Sequence, residues 1–258
     1  MSLDREKLVR ILSILAVLAI FIFVVLMFIY PFAISNGDWN YVQEVWVRWQ
    51  GLNVGMLAFV SSMVAFYISR YKAELQRERE FLASKAFLPQ AFSQLCSYFE
   101  KSAEVYRRAW VAGTEDSQRL NSPDLPEGYE EIFKDCIRHA LPEVGDYLSV
   151  LLANLQIHHS RMSNIGEQIR DAHITGPNRP YILSCLCRLG ELQALVDQMF
   201  EFARNTEKFR FTNLAYDDFE TAFAVMHVRI EDFYLDDTRH LASEIDKYIN
   251  TKAGISDK

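Results

Sequence analysis

The sequence predicts an all-α protein: a two-helix transmembrane hairpin, a helical stalk and a cytoplasmic helical bundle. Three observations predict it. Two long uncharged apolar runs fall within the first 70 of 258 residues. Basic residues border the outer ends of that pair, as they do in a hairpin held from the cytoplasmic side. Beyond it, apolar residues recur at helical spacing and no segment sustains the alternation of a strand. Hydrophobic residues make up 50% of the chain while mean hydropathy is only -0.04, so the apolar residues are concentrated rather than spread.

Residues 1–10 read as a cytoplasmic tail carrying Arg5, Lys7 and Arg10. The first transmembrane helix follows at 11–34. From Ile11 to Tyr30 the only polar side chain is that of Ser13, and at about 1.5 Å per residue this run is about 30 Å long, the thickness of a hydrocarbon core. A cleaved signal peptide with Ala33 and Ser35 at its processing site is the competing reading, but such apolar regions run to about 7–15 residues. Residues 35–45 are expected to be an external loop, acidic through Asp38 and Glu44. The second transmembrane helix is placed at 46–69, with Trp46 and Trp49 as interfacial anchors and Arg48 snorkelling at the boundary. Arg70, Lys72, Arg77 and Arg79 follow and lie close to anionic lipid. This charge pattern puts both termini in the cytoplasm of a two-pass protein of the bacterial inner membrane.

Within the second span, Gly51, Gly55, Ala58, Ser62, Ala65 and Ser69 recur at steps of four and three. They form one stripe of small residues along a helix. Apolar association offers no driving force in lipid, so small residues that let backbones approach provide the packing. Two readings stand side by side: the stripe seats the first span, or it joins copies of the chain and buries Asn53 between them.

Residues 70–85 lack glycine and proline and predict a charged stalk continuing the second span to about residue 88. Pro89 then marks a kink or a new helix. The cytoplasmic helical domain is expected over 89–251, with a short tail at 252–258. Its first helix presents Phe92, Leu95, Cys96, Phe99, Tyr106 and Trp110 on one face. Residues 111–128, with Gly113, Pro123, Pro126 and Gly128, predict a loop. A short helix carries Tyr129, Phe133, Cys136 and Ala140. A long one spans about Pro142 to Ala172 and pairs, through a turn at Thr175–Pro180, with a helix bearing Ile182, Leu186, Leu189, Leu192, Val196 and Met199. Two more close the chain. One holds Phe219, Ala222, Phe223, Met226 and Ile230; the other follows Asp236 and Asp237, whose charges suit a helix N-terminus.

The chain has a formal charge of -7, and its acidic body repels phosphate, which disfavours nucleic acid as a partner. Cys96, Cys136, Cys185 and Cys187 have neither zinc nor disulfide spacing and read as small buried hydrophobes. His158 and His159 diverge by about 100° on a helix and cannot share a metal. His139 with Glu143, and His240 with Glu244, stand at the i, i+4 spacing of a hydrogen-bonded pair. No P-loop, dinucleotide fingerprint, nucleophile elbow or di-iron signature is present. No catalytic, cofactor-binding or metal-ligating residue is therefore assigned.

The run W-x-x-W-Q-G-L-N-V-G-M at Trp46–Met56, followed by R-E-R-E-F-L-A-S-K-A-F-L at Arg77–Leu88 and Pro89, resembles two-span bacterial inner-membrane proteins with a cytoplasmic helical domain. The resemblance covers about residues 40–110 and brings no activity with it. In plan the layout is also similar to two-span effectors of antiphage systems. The function expected is that of a non-enzymatic membrane-anchored interaction or signalling protein, partnered by the lipid bilayer, a cytoplasmic protein and, through the stripe, further copies of itself. A pore-forming effector and a helical-bundle enzyme are the alternatives.

Overall fold

A computed structural model of the chain describes residues 2–111, 121–171, 179–204, 206–210 and 212–256. The fold class is all-α. Ten α-helices are described: α1 (Ser2–Val24), α2 (Tyr30–Ile34), α3 (Trp39–Arg48), α4 (Gln50–Lys85), α5 (Leu88–Val111), α6 (Tyr129–His139), α7 (Pro142–Asp171), α8 (Arg179–Ala203), α9 (Tyr216–Val225) and α10 (Leu241–Ser256). The expected turn at Thr175–Pro177 and residues 112–120 of the expected loop lie outside the described residues. Two compact units divide the chain, Met1–Leu75 and Gln76–Lys258.

In the first unit, α1 runs through a π-helical turn at Val25–Ile29 into α2 without a break. Proline explains the irregularity. Pro31 has no N–H to give the carbonyl of Met27, four residues earlier, and just ahead of it the Tyr30 N–H bonds back to Val25 O, five residues away. The Met27 carbonyl is met from elsewhere: Trp46 Nε1 donates to it at 2.9 Å. The chain reverses at Asn36 and Gly37, both with positive φ, a turn that glycine enters without strain. Residues 35–45 are not an open loop. The Asp38 carboxylate accepts from Asn40 N at 3.0 Å and caps α3, which absorbs most of that segment and ends at Arg48. The second long helix therefore starts at Gln50, a few residues later than Trp46.

Two helical stretches are long and apolar enough to cross a membrane, Ser13–Ile34 and the one that begins at Gln50. Their side chains are overwhelmingly exposed, and no residue in the most apolar part of the second is buried. Partial cover within the unit follows a seam on each helix: Ser13, Ala16, Ile20 and Phe23 on α1, and Asn53, Met56, Val60 and Met63 on α4. Steps of three and four are those of a left-handed helix pair. A polar contact joins the two helices where the Tyr67 O–H donates to Ser13 Oγ at 2.7 Å.

The second unit is organised around α8. Nearly every residue from Ile182 to Val196 is buried, on all faces of the helix, as befits a helix enclosed by others. α5, α7, α9 and α10 pack against it, and α6 packs on α7. The largest fully buried side chains include Phe92, Phe99, Tyr106, Phe133, Phe219, Phe223 and Phe233. α9 comes close to α8 because residue 190 is glycine: a Cβ there would stand 2.7 Å from the Phe223 ring.

Three local expectations are corrected. The helix that holds Phe219, Ala222 and Phe223 ends at Val225, where Met226 and the positive-φ His227 turn the chain, so Ile230 is not on it. Asp236 and Asp237 do not open a helix. They stand at the tip of a two-stranded antiparallel ribbon, β1 (Tyr234–Asp236) and β2 (Arg239–His240), where Asp236 accepts from Thr238 N and pairs with Arg239. α10 starts only at Leu241. Neither expected histidine pair forms. His139 Nδ1 lies 3.1 Å from Glu80 Oε2, and His240 Nδ1 accepts from Ser243 N while Glu244 pairs with Lys247.

Candidate functional site

All six residues of the small stripe, Gly51, Gly55, Ala58, Ser62, Ala65 and Ser69, are exposed. Nothing stands within 4 Å of where a Cβ would be at Gly51 or Gly55. The covered seam of α4 is a different face, the one with Asn53. The Asn53 amide donates to the Trp46 carbonyl at 3.4 Å and its Oδ1 is buried without a hydrogen-bond partner, so this side chain faces into its own unit. Ser61 and Ser62 spend their hydroxyls on carbonyls four residues back. Trp46 is enclosed between Phe28 and Trp39, with ring centroids 5.3 and 5.7 Å away. Trp49 is exposed and Arg48 pairs with Glu44 at the surface. Arg70 lies over the Phe66 ring at 5.9 Å; Lys72 and Arg79 are exposed and Arg77 is half-buried.

The second unit carries a half-open cleft of about 500 Å³ between α7, α8, the segment near Phe209–Leu214 and α10. That volume lies in the range of small-molecule and peptide pockets. No motif in the chain points to it, since its wall is assembled from residues 143 to 252. Tyr147 is fixed by its O–H, which donates to Leu195 O at 2.8 Å. Its ring meets Phe209 edge-on at 5.3 Å, and Phe209 in turn meets Phe202 at 5.6 Å. Gln198 Nε2 donates to Thr212 Oγ1 at 2.9 Å and fastens that segment to α8. Val150, Leu195 and Leu214 complete an apolar lining, with Glu143 and Asp146 on one rim and Arg210 and Lys252 also present.

Glu191 forms part of the wall and is only 3% exposed. A buried carboxylate needs partners, and it has two cations: Arg188 at 3.2 Å and Lys252 at 3.6 Å. Beside it, burial and the Glu191 carboxylate push the Tyr248 phenol far above its usual range. Burial also pushes the Cys187 thiol up to about 12 and raises Cys185. Thiols so disposed stay protonated and are poor nucleophiles. All four cysteines are free, and Cys136, Cys185 and Cys187 are buried.

His158 and His159 point apart. His159 Nδ1 meets the Tyr98 hydroxyl at 3.1 Å. His158 is 3% exposed, and burial, with His159 and Arg161 nearby, pushes it down to about 4. Among the described residues no group of three or more His, Cys, Asp or Glu side chains is placed to hold a metal ion. No protein-family model, curated protein or solved structure matches the chain, so the site is read from its own geometry.

Proposed function

We propose that the chain is a membrane-anchored interaction protein of the bacterial inner membrane. Two spans hold it with both termini in the cytoplasm, and its helical domain binds a cytoplasmic protein partner in the cleft between α7, α8 and α10. The observation that carries this reading is the cleft: an aromatic and aliphatic lining with a charged rim is what an apolar side chain flanked by polar residues requires. The exposed apolar girth of both long helices supports the anchor, since such patches on a free chain in water would associate. The test is a photocrosslinker at Val150, which is exposed, in the full chain in intact cells. One dominant adduct in mass spectrometry is expected, lost when Leu214→Asp is added. Dispersed adducts, or one indifferent to Leu214→Asp, refute the cleft; digestion of the C-terminal half by protease added to intact spheroplasts refutes the topology.

A second reading, assembly into a membrane effector or pore, has one observation in its favour: the small stripe of α4 is open along its length. Copies packed on that face would bring their backbones close. Induced expression should then depolarise cells, and Gly55→Leu should abolish the effect. Unchanged membrane potential at high expression ends this reading. The internally bonded Ser61 and Ser62 weigh against a polar path beside Gln50 and Asn53.

A further inference from the structure

Apart from the cleft, the helical domain holds a smaller cavity of about 140 Å³ between α5, α7 and α8. Two polar atoms in its lining residues are buried without a hydrogen-bond partner: His158 Nε2 and the Tyr106 hydroxyl. The Cys185 thiol beside Tyr106 is only a weak acceptor and does not satisfy it. Both side chains are almost fully covered, at 3% and 0% exposure, and their rings cross at 68° with centroids 6.0 Å apart. Buried polar groups in folded proteins are nearly always bonded, so two orphans on one void mark a place where a polar molecule belongs.

The character of that molecule follows from what the wall offers. Tyr106 has a hydroxyl to donate, neutral His158 can carry its proton on Nε2, and Asn154 brings an amide. Arg161, half-buried one turn beyond His158, lines the same cavity and makes no ion pair among the described residues. Arg188 also lines it, with its charge matched by Glu191. Donors outnumber acceptors, and two guanidinium groups face one carboxylate that Lys252 also approaches, leaving net positive charge to be met. A void close to the ~150 Å³ of a benzene-sized cavity admits only a few non-hydrogen atoms.

We propose that this cavity binds a small carboxylate monoanion, with Arg161 matching its charge and Tyr106 and His158 bonding its oxygens. Guanidinium suits a carboxylate because its fork of N–H groups matches the two oxygens. The inference concerns a ligand of the helical domain and stands whether or not a protein occupies the cleft.

Calorimetric titration of the purified full-length chain in detergent tests it, with propionate as the probe and propionamide and inorganic phosphate as comparators. Saturable propionate binding is expected, with propionamide and phosphate at least about ten-fold weaker. Arg161→Gln, at the half-buried edge, and Tyr106→Phe, which keeps the ring, should each weaken propionate about ten-fold or more while the protein still melts cooperatively. Absence of saturable binding at millimolar propionate overturns the proposal and leaves the cavity to ordered water. Equal affinity for propionamide or phosphate overturns it too, and needs no variant. So does a cooperatively melting Arg161→Gln protein that binds propionate unchanged.

Discussion

Replacing His158 by leucine should remove much of the acid sensitivity of the helical domain. In the folded chain this imidazole is held down to about 4 by burial, with His159 and Arg161 adding to it, whereas an unfolded histidine titrates near 6.5. Between those two values the unfolded state binds more protons than the folded one, so stability falls as pH drops through that window. At about 1.4 kcal/mol per pH unit the full loss is about 3 kcal/mol, of which about 2 kcal/mol has gone by pH 5. Other groups titrate as well. Burial raises Asp197, which acts in the opposite sense, and Arg107 and Arg108 lower Glu104. Both are common to the two proteins and cancel in their difference. Leucine is close to histidine in size and leaves no orphaned nitrogen. The variant should therefore be at least as stable as the parent at pH 7.5 and more stable by about 2 kcal/mol at pH 5. Hydrogen exchange of α7 and α8 peptides in detergent micelles, over a series of pH values, reads this difference. Stability curves that stay parallel from pH 7.5 to pH 4.5 would refute the assignment of a buried neutral imidazole.

Trp46→Phe should cost the hairpin about 1–2 kcal/mol, because the Met27 carbonyl loses the Trp46 Nε1 donor; in a Pro31→Ala background, where residue 31 can donate instead, the cost should shrink. A double-mutant cycle on hairpin stability in bicelles measures this, and additive effects would disprove the link. Gly190→Ala places a Cβ 2.7 Å from the Phe223 ring and 3.1 Å from Phe219. Both rings are fixed in the core, so overpacking of about 1–3 kcal/mol should outweigh the benefit of about 1 kcal/mol in helix propensity, and a lowered thermal midpoint, partly restored by Phe223→Leu, checks it. Lys85→Met should be nearly neutral in chemical denaturation. The Lys85 ammonium is buried 3.6 Å from the Phe202 ring centroid and burial lowers its pKa, so the attraction between cation and ring and the cost of desolvating the ammonium offset one another.

Much of the helical order was legible because the deciding signal was local. Pro142 opens α7 and Pro89 falls in the first turn of α5, where proline's missing N–H costs nothing. The uncharged run before Tyr30 needs no tertiary information to be read as a long helix. The signal for α3 also stands in the sequence: Asp38 precedes Trp39, Val42, Val45 and Trp46 at helical spacing, a cap before an apolar-periodic run, but the acidic residues between the two spans read as a loop. Asp236 misled for a related reason. An aspartate ahead of a helix can cap it, or it can bond to the N–H two residues on and form a turn, and only the cross-strand pairing of Tyr234 with His240 selects the turn. The partner of His139 was out of reach, since Glu80 lies 59 positions away and meets it only through folding. The cleft and the cavity share that property, each being walled by helices distant in the chain.

α8 carries two of the domain's buried polar side chains, Glu191 and Gln193, and this bears on how its two voids relate. Glu191, Gln193 and Asp197 lie on a helix otherwise buried among apolar side chains; Gln193 Nε2 donates to Asp197 Oδ1 at 2.9 Å, while Gln193 Oε1 and Asp197 Oδ2 are without partners. A bundle needing only stability would be served as well by leucine at such positions, because buried ionic groups rarely repay their desolvation. Glu191 lines both voids; its two cations differ in place, Arg188 lining the cavity and Lys252 the cleft. Glu191→Gln should therefore act on ligand binding more than on folding. Arg188 and Lys252 are each about half exposed, so both can turn to water, and the loss of stability should stay near 1–2 kcal/mol rather than the ~3–5 kcal/mol of a stranded buried charge. The cavity meanwhile acquires an unmatched guanidinium, and propionate should bind the variant several-fold more tightly than the parent. Calorimetry on the two proteins side by side decides the matter: a folded Glu191→Gln chain with unchanged propionate affinity would show that the carboxylate does not set the charge of the cavity.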